Sequence, residues 1–236
     1  MTEVAVFGDV SAAAAELFLE AAAGAAAARG RAAVALTGGS TAPPLYERLR
    51  AAPVPWGKTD VFFTDERAVP PAHELSNYRL AEEGLLRHVE VAAVHRMRGE
   101  APDLDAEARR CAQDLRETLG ASPRLDFMAL GLGPDGHVCS LFAGLAASAE
   151  RGDDMLVRHV PAPEHVAPKV ARLTMVPFLI VTARMVVLQV KGQEKAEVLA
   201  RALKAPEDLV GCPAQWLRKA TGRAVVVCDA AAASRL

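Results

Sequence analysis

Short apolar segments that suit β-strands alternate along the chain with longer segments of helical pattern. Strands are predicted at residues 32–36, 59–63, 127–130, 155–160, 185–190 and 224–228. Helices are predicted at residues 12–28, 45–50, 77–86, 105–119, 176–183 and 194–203. Several strand segments, such as VVLQV and AVVVC, are apolar without alternation, which is typical of strands covered on both faces. This order predicts an α/β fold with a doubly wound, predominantly parallel, Rossmann-like sheet flanked by helices.

Local signals place the helix starts and the loops. Ser11 and Ser76 are predicted as N-caps, and Pro43 with Pro44 suits the first turn of a helix. Segments rich in Pro and Gly near residues 53–57, 70–71 and 161–168 are short, and strand patterns resume after each of them. They are interpreted as loops rather than as linkers. No internal repeat is found, and residues 1–236 are expected to form one domain.

The charge balance argues against a nucleic-acid partner. The chain carries 27 basic and 29 acidic residues and a net charge of −2, so the basic surface that grips a phosphate backbone is not expected. Four separated cysteines without a C-x-x-C motif (111, 139, 212 and 228) predict free thiols in a reducing compartment. Neither a signal peptide nor an apolar stretch of membrane-spanning length is expected. The prediction is a cytoplasmic monomer or weak homodimer without membrane contact.

Polar loops follow three of the predicted strands, at the sheet edge where α/β proteins collect ligands. In AVALTGGST, Gly39, Ser40 and Thr41 stand between a strand and a helix that starts with prolines. Glycine lets backbone N–H groups face an anion, and the hydroxyls add donors, so this loop can bind phosphate. The alternative is an ordinary turn with a Ser or Thr cap.

The second loop, FFTDERAVPP, places Asp65, Glu66 and Arg67 directly after an apolar strand. Charges at such a point are costly unless they are solvated or paired. Arg67 offers a planar fork for a phosphate, and Asp65 can accept hydrogen bonds from substrate hydroxyls. The alternative is a solvated loop in which Arg67 pairs with an acidic neighbour.

The third loop, LGLGPDGHVCSLF, contains the G-x-G-x-x-G spacing of dinucleotide-binding turns but continues with His137. That fingerprint requires an acidic residue about 20 positions later, at the end of a strand. Only Asp153 and Asp154 lie near that distance, and they precede a strand pattern, so the dinucleotide interpretation is rejected. A histidine can take a proton from water, and the nearby Asp135 can orient it. The alternative is a core histidine with a structural hydrogen bond.

Taken in order, LTGGST, FFTDERAVPP and LGLGPDGHVCSLF resemble the 6-phosphogluconolactonase family, and the resemblance continues through ARLTM, VKGQEKAEVL and CPAQWL. It implies hydrolysis of 6-phospho-D-glucono-1,5-lactone to 6-phosphogluconate in the oxidative pentose phosphate pathway, without a metal or organic cofactor. It also implies that the partner is a small phosphosugar lactone.

The resemblance further implies residue roles. His137 would be the general base that activates water, and Asp65 and Asp135 would shape and polarise its pocket. The residues expected to bind the phosphate are Gly39, Ser40, Thr41, Arg67, Arg172 and Lys195. Lys191 is the alternative phosphate lysine, but the G-x-x-K spacing favours Lys195.

Two other functions remain as alternatives. The related glucosamine-6-phosphate isomerase/deaminase group shares the Asp-Gly-His turn but typically carries a glutamate soon after the histidine. Here the following residues read VCSLFAGLAAS. A sugar-phosphate-sensing module would need a DNA-binding segment, and none fits before the first predicted strand.

Overall fold

The computed structural model describes residues 2–145 and 155–236. A parallel sheet of seven strands forms its centre. These strands are β1 (Glu3–Val6), β2 (Ala32–Leu36), β3 (Thr59–Phe63), β5 (Ala93–Val94), β6 (Phe127–Gly131), β9 (Met185–Val190) and β10 (Arg223–Cys228). Their order across the sheet is β1-β10-β9-β6-β2-β3-β5, and every pair is parallel. The sheet therefore has its strand ends aligned at one edge, as predicted.

Three further strands form a separate antiparallel sheet. They are β4 (Asp65–Arg67), β7 (Val157–Val160) and β8 (Arg172–Met175), in the order β4-β8-β7. The segment predicted as a strand at 155–160 thus belongs to this small sheet. The sequence pattern misses β4 and β8, because both contain charged or polar residues. It also misses β1 and β5, which are short edge strands with exposed positions.

Within the described residues, six α-helices cover the two faces of the parallel sheet. They are α1 (Val10–Arg29), α2 (Ala42–Ala51), α3 (Asn77–Gly84), α4 (Leu104–Leu119), α5 (Pro177–Thr182) and α6 (Ala196–Lys204). Two large groups of buried apolar side chains result. One contains Leu130, Val186 and Leu188, and the other contains Val34, Val187 and Phe18. The doubly wound α/β prediction is confirmed.

Two of the predicted helix-start signals are confirmed by the structure, and one is wrong. Ser76 caps α3, because its Oγ accepts a hydrogen bond from the backbone N–H of Arg79 at 3.1 Å. Pro43 and Pro44 lie in the first turn of α2. Ser11 is not the cap of α1; Asp9 is, and its carboxylate accepts the backbone N–H of Ala12 and the hydroxyl of Ser11. The shorter Ser11 side chain lies within the helix and supports that cap.

Helix α1 is long and apolar enough, by length and composition, to cross a membrane, although Glu16 and Glu20 interrupt its apolar residues. In the structure it packs as a core helix against α2, β2 and β9. Its buried side chains are Val10, Ala13, Ala14, Ala15, Phe18, Ala22, Ala25 and Ala26. Asp153 and Asp154, which were considered for the dinucleotide fingerprint, lie outside the described residues.

The four cysteines are free and buried, which confirms the prediction of thiols rather than disulfides. Burial raises the pKa of Cys111 to about 12 and raises the pKa of Cys139 well above its ordinary value. Thiols that ionise so reluctantly make poor nucleophiles. This argues against Cys139 as a reactive group, although it lines a cleft at the carboxyl ends of the parallel strands.

Candidate active site

A cleft of about 1090 Å³ opens at the carboxyl ends of β2, β3, β6 and β9. Ligands of parallel α/β sheets collect at this edge. The cleft is lined by eight of the nine predicted site residues: Gly39, Ser40, Thr41, Asp65, Arg67, His137, Arg172 and Lys195. The ninth, Asp135, reaches the cleft through its hydrogen bond to His137. The structure therefore brings together residues that are spread over 150 positions of the sequence.

Asp135 and His137 form a hydrogen-bonded pair in the loop after β6. Nδ1 of His137 lies 2.5 Å from Oδ1 of Asp135, which also accepts the backbone N–H of His137 at 3.1 Å. Burial raises the pKa of Asp135, but hydrogen bonds from His137 and His165 outweigh it and hold that pKa well below its ordinary value. Asp135 is therefore an anion that orients the imidazole. Within residues 2–145 and 155–236, Nε2 of His137 has no hydrogen-bond partner and is the nitrogen available to a ligand.

The glycines of the same loop make room for the histidine. A Cβ on Gly133 would lie 2.0 Å from Nδ1 of His137, which is closer than these two atoms can approach. Gly136 has φ +94°, and a Cβ there would meet Cys212 Sγ at 2.8 Å. Gly133 thus lets His137 pack against the backbone of its own loop, and Gly136 lets the turn pack against Cys212.

The loop after β2 contributes hydroxyls and backbone to the cleft. Gly39 has φ +79°, which favours glycine. A Cβ on Gly38 would lie 1.9 Å from Asn77 Oδ1, so this loop packs closely on α3. Thr41 occupies the N-cap position of α2 without a side-chain cap bond, which rules out the simple cap interpretation for Thr41. Because Pro43 and Pro44 have no N–H groups, the donors here are the hydroxyls and the backbone before α2.

Asp65 connects three segments at the wall of the cleft. Its Oδ1 accepts a hydrogen bond from Asn77 Nδ2 at 3.0 Å, and its Oδ2 accepts one from Ser140 Oγ at 2.6 Å. The side chain is buried. Asp65 therefore holds the loop after His137 against α3, and the lone pairs that remain can still face a ligand.

Glu66 is a structural residue that the sequence did not single out. Its Oε1 accepts the backbone N–H groups of Arg67 and Asn77, and its Oε2 accepts Tyr78 N–H and Ser76 Oγ–H, all between 2.7 and 3.0 Å. Burial raises the pKa of Glu66 despite these four hydrogen bonds. The carboxylate fixes the start of α3 to β4. Three of its four partners lie 10 to 12 residues away, so no short motif marks it.

Arg67 and Arg172 face each other across the small sheet, as directly paired residues of β4 and β8. Like charges in this position repel unless an anion lies between them. Arg67 donates from a terminal guanidinium nitrogen to Leu75 O at 2.6 Å, and its buried Nε has no partner among the described residues. The alternative that Arg67 pairs with an acidic neighbour is therefore wrong: Glu66 binds the backbone N–H of Arg67, not its guanidinium.

Arg172 is buried, with 3% of its surface exposed. Its guanidinium donates to the carbonyls of Pro168 at 2.9 Å and Val170 at 3.1 Å. Burial lowers its pKa; the charge of Asp65 opposes that change and the charge of Arg67 adds to it. A cation in this setting is well placed to attract a phosphate into the cleft.

Lys191, Gln189 and His165 also line the cleft, beside the predicted residue Lys195. Lys195 donates from Nζ to Leu132 O at 2.9 Å, and Lys191 lines the cleft as well. Gln189 is 1% exposed, and both polar atoms of its amide lack a partner within the described part of the chain. His165 was not expected: its Nε2 lies 2.9 Å from Asp135 Oδ2. Within the described residues, no group of three or more His, Cys, Asp or Glu is arranged to hold a metal ion.

The chain as a whole resembles known proteins in sequence and in fold. A family model described as "Glucosamine-6-phosphate isomerases/6-phosphogluconolactonase" matches residues 8–226. The chain belongs to this family. A 6-phosphogluconolactonase of Rhizobium meliloti is 35% identical over 176 residues, which make up 75% of this chain and 75% of the relative. One of Pseudomonas putida is 36% identical over 194 residues, which make up 79% and 76% of the two chains.

Solved structures of the glucosamine-6-phosphate isomerase/6-phosphogluconolactonase family share this architecture. The 6-phosphogluconolactonase from Trypanosoma cruzi superimposes with a TM-score of 0.88 and 27% identity, over 100% of this chain and 97% of that chain. The resemblance read from the three loop motifs is thereby confirmed at the level of the family.

Proposed function

We propose that this member of the family is a hydrolase that converts 6-phospho-D-glucono-1,5-lactone to 6-phospho-D-gluconate in the oxidative pentose phosphate pathway. The observation that carries the proposal is the Asp135–His137 pair in a cleft that also contains two facing arginines. Hydrolysis of a phosphorylated lactone requires a base that takes a proton from water and cationic groups that bind the phosphate dianion. The names of the relatives point to the same substrate.

The base is His137. Because Asp135 accepts the Nδ1–H bond, Nε2 presents a lone pair to the cleft and can take a proton from water. The hydroxide oxygen then bonds to the lactone carbonyl carbon, and the carbonyl oxygen becomes an anion. When the carbon–ring oxygen bond breaks, the ring oxygen receives the proton from His137. The products are the carboxylic acid, which ionises, and the free hydroxyl, so the base returns to its starting state.

The phosphate holders are Arg67, Arg172 and Lys195, together with the loop formed by Gly39, Ser40 and Thr41. Holding the phosphate fixes the distance between the lactone carbonyl and His137, which lowers the entropic part of the barrier. A nearby cation or backbone N–H also stabilises the oxyanion of the intermediate. These groups supply the reaction without a metal or organic cofactor. We place the enzyme in the cytoplasm as a monomer or weak homodimer.

The test is pH-stat hydrolysis of freshly generated 6-phosphogluconolactone, corrected for spontaneous hydrolysis. His137→Gln should lower kcat at least about 100-fold, the lower end of what a general base contributes. His88→Gln, an exposed histidine outside the cleft, is the matched control and should match the wild type. Equal rates for wild type and His137→Gln would contradict the proposal. Ammonia release from glucosamine 6-phosphate would instead identify the isomerase/deaminase reaction.

A further inference from the structure

His165 brings a second imidazole to the proposed active site. It lies in the loop between β7 and β8, and its side chain is 50% exposed while lining the cleft. Its Nε2 lies 2.9 Å from Oδ2 of Asp135, and its ring meets Phe142 edge-on with centroids 6.4 Å apart. The loop between two strands of the small antiparallel sheet therefore places His165 in direct contact with Asp135.

The Asp135 carboxylate thereby lies between two histidines. Oδ1 faces His137, and Oδ2 faces His165, with the backbone N–H of Ala143 at 3.5 Å. The contact to Ala143 is long, so His165 is the main donor to Oδ2. Without that donor, the carboxylate plane is held by the hydrogen bonds of Oδ1 and by the long contact from Ala143 alone.

We propose that His165 is a positioning residue for the reaction proposed above: its Nε2–H donates to Oδ2 and keeps Oδ1 of Asp135 directed at Nδ1 of His137. The proposal rests on the proposed function. A fixed Asp135 keeps His137 in the tautomer whose Nε2 can accept a proton, and the same hydrogen bond favours the ionised carboxylate. The substrate phosphate is held by other residues, so His165 should affect turnover rather than affinity.

The first experiment separates kcat from KM in the lactone assay. His165→Leu should lower kcat about tenfold and leave KM within about twofold, since a hydrogen bond to a charged group is worth roughly that factor. His165→Gln should recover most of the loss, because its side-chain N–H can reach Oδ2 as the imidazole does. His88→Leu, with the same chemical change outside the cleft, should match the wild type. An unchanged kcat in His165→Leu, or an equal loss in His165→Gln, would overturn the proposal.

The second experiment does not depend on lactone hydrolysis. Melting temperatures of the wild type, His165→Leu, Asp135→Ala and the double variant form a cycle. The double variant should lose less than the sum of the two single losses, because both changes remove the same contact. Additive losses would show that His165 does not hold Asp135 and would refute the proposal. If the wild type fails to hydrolyse the lactone, the proposed function is wrong. The cycle of melting temperatures still tests whether His165 holds Asp135.

Discussion

At the scale of single residues, the site depends on how closely His137 packs on its own loop. The sequence was sufficient to predict Asp135 and His137, because a glycine-rich turn and a carboxylate two positions away are local features. It was not sufficient for His165, which lies 30 positions from Asp135. Only the fold brings that loop to the cleft, so no spacing rule could have found it. The catalytic roles themselves remain predictions.

Gly133→Ala should inactivate the protein without unfolding it. The added methyl would lie 2.0 Å from Nδ1 of His137, so the ring must leave its position beside Asp135. In the lactone assay we expect kcat to fall at least about 100-fold, the lower end of the contribution of a general base.

The control for Gly133→Ala is Gly24→Ala, at an exposed position of α1 with no atom within 4 Å of the new methyl. It should keep full activity and raise the free energy of unfolding by about 0.5–1 kcal/mol, because alanine favours a helix over glycine. Full activity in Gly133→Ala would mean that the turn does not position His137.

At the scale of secondary-structure elements, β4 shows where sequence patterns fail. Its three residues, Asp65–Arg67, are all charged, and the pattern indicates a loop. The strand forms because β8 pairs with it and because Asn77 and Ser140 satisfy the Asp65 carboxylate. Such partners lie far away in the sequence. By contrast, β9 and β10 were predicted correctly because burial on both faces leaves a continuous apolar run.

Helix α4 is fixed by a buried carboxylate whose ionisation should make stability depend on pH. Glu107 accepts hydrogen bonds from Arg98 and Arg110 at 2.6–2.9 Å, and its side chain is 1% exposed. Burial raises its pKa, but these bonds outweigh burial and lower the pKa to about 2. Because the folded pKa is depressed, the contribution is complete above the unfolded value near 4.5 and is lost as the pH falls towards 2.

Urea unfolding at pH 7 and pH 3 tests this effect. Glu107→Gln should lower the free energy of unfolding by about 2 kcal/mol at pH 7 and by less at pH 3. Glu83→Gln removes an exposed carboxylate that pairs with Arg79 on α3 and should cost less than about 1 kcal/mol at either pH. An equal loss at both pH values for Glu107→Gln would contradict the assignment.

At the scale of the whole molecule, the cleft lies between two sheets. The parallel sheet provides the loops of Ser40 and His137, and the small sheet provides Arg67 and Arg172. The sequence predicted the parallel sheet and the cleft residues that both sheets contribute. It did not predict the small sheet, because its strands are short and partly charged. An anion bound in the cleft should therefore contact residues from both sheets and hold the two sheets together.

Inorganic phosphate should stabilise the protein. At about ten times its dissociation constant it adds about 1.4 kcal/mol, which corresponds to a rise in Tm of about 3–6 °C for a chain of this size. Arg67→Gln should lose most of this rise, because one of the two facing cations is gone. Arg79→Gln, on the exposed side of α3, should keep it, and chloride at equal ionic strength should not cause it. An equal phosphate effect in Arg67→Gln would place the anion elsewhere.

The position of β1 bears on the order in which the protein folds. β1 lies at the edge of the sheet and pairs with β10, so that Glu3 contacts Arg223, 220 residues later. During synthesis, the N-terminal strand has no partner until β10 has left the ribosome. Val4 and Val6 are exposed even in the finished sheet, so pairing with β10 leaves apolar side chains of this edge strand in contact with solvent. The β1–β10 pairing joins the two most distant strands of the sheet along the chain, so it carries the largest loop-closure entropy of any strand pair in the sheet.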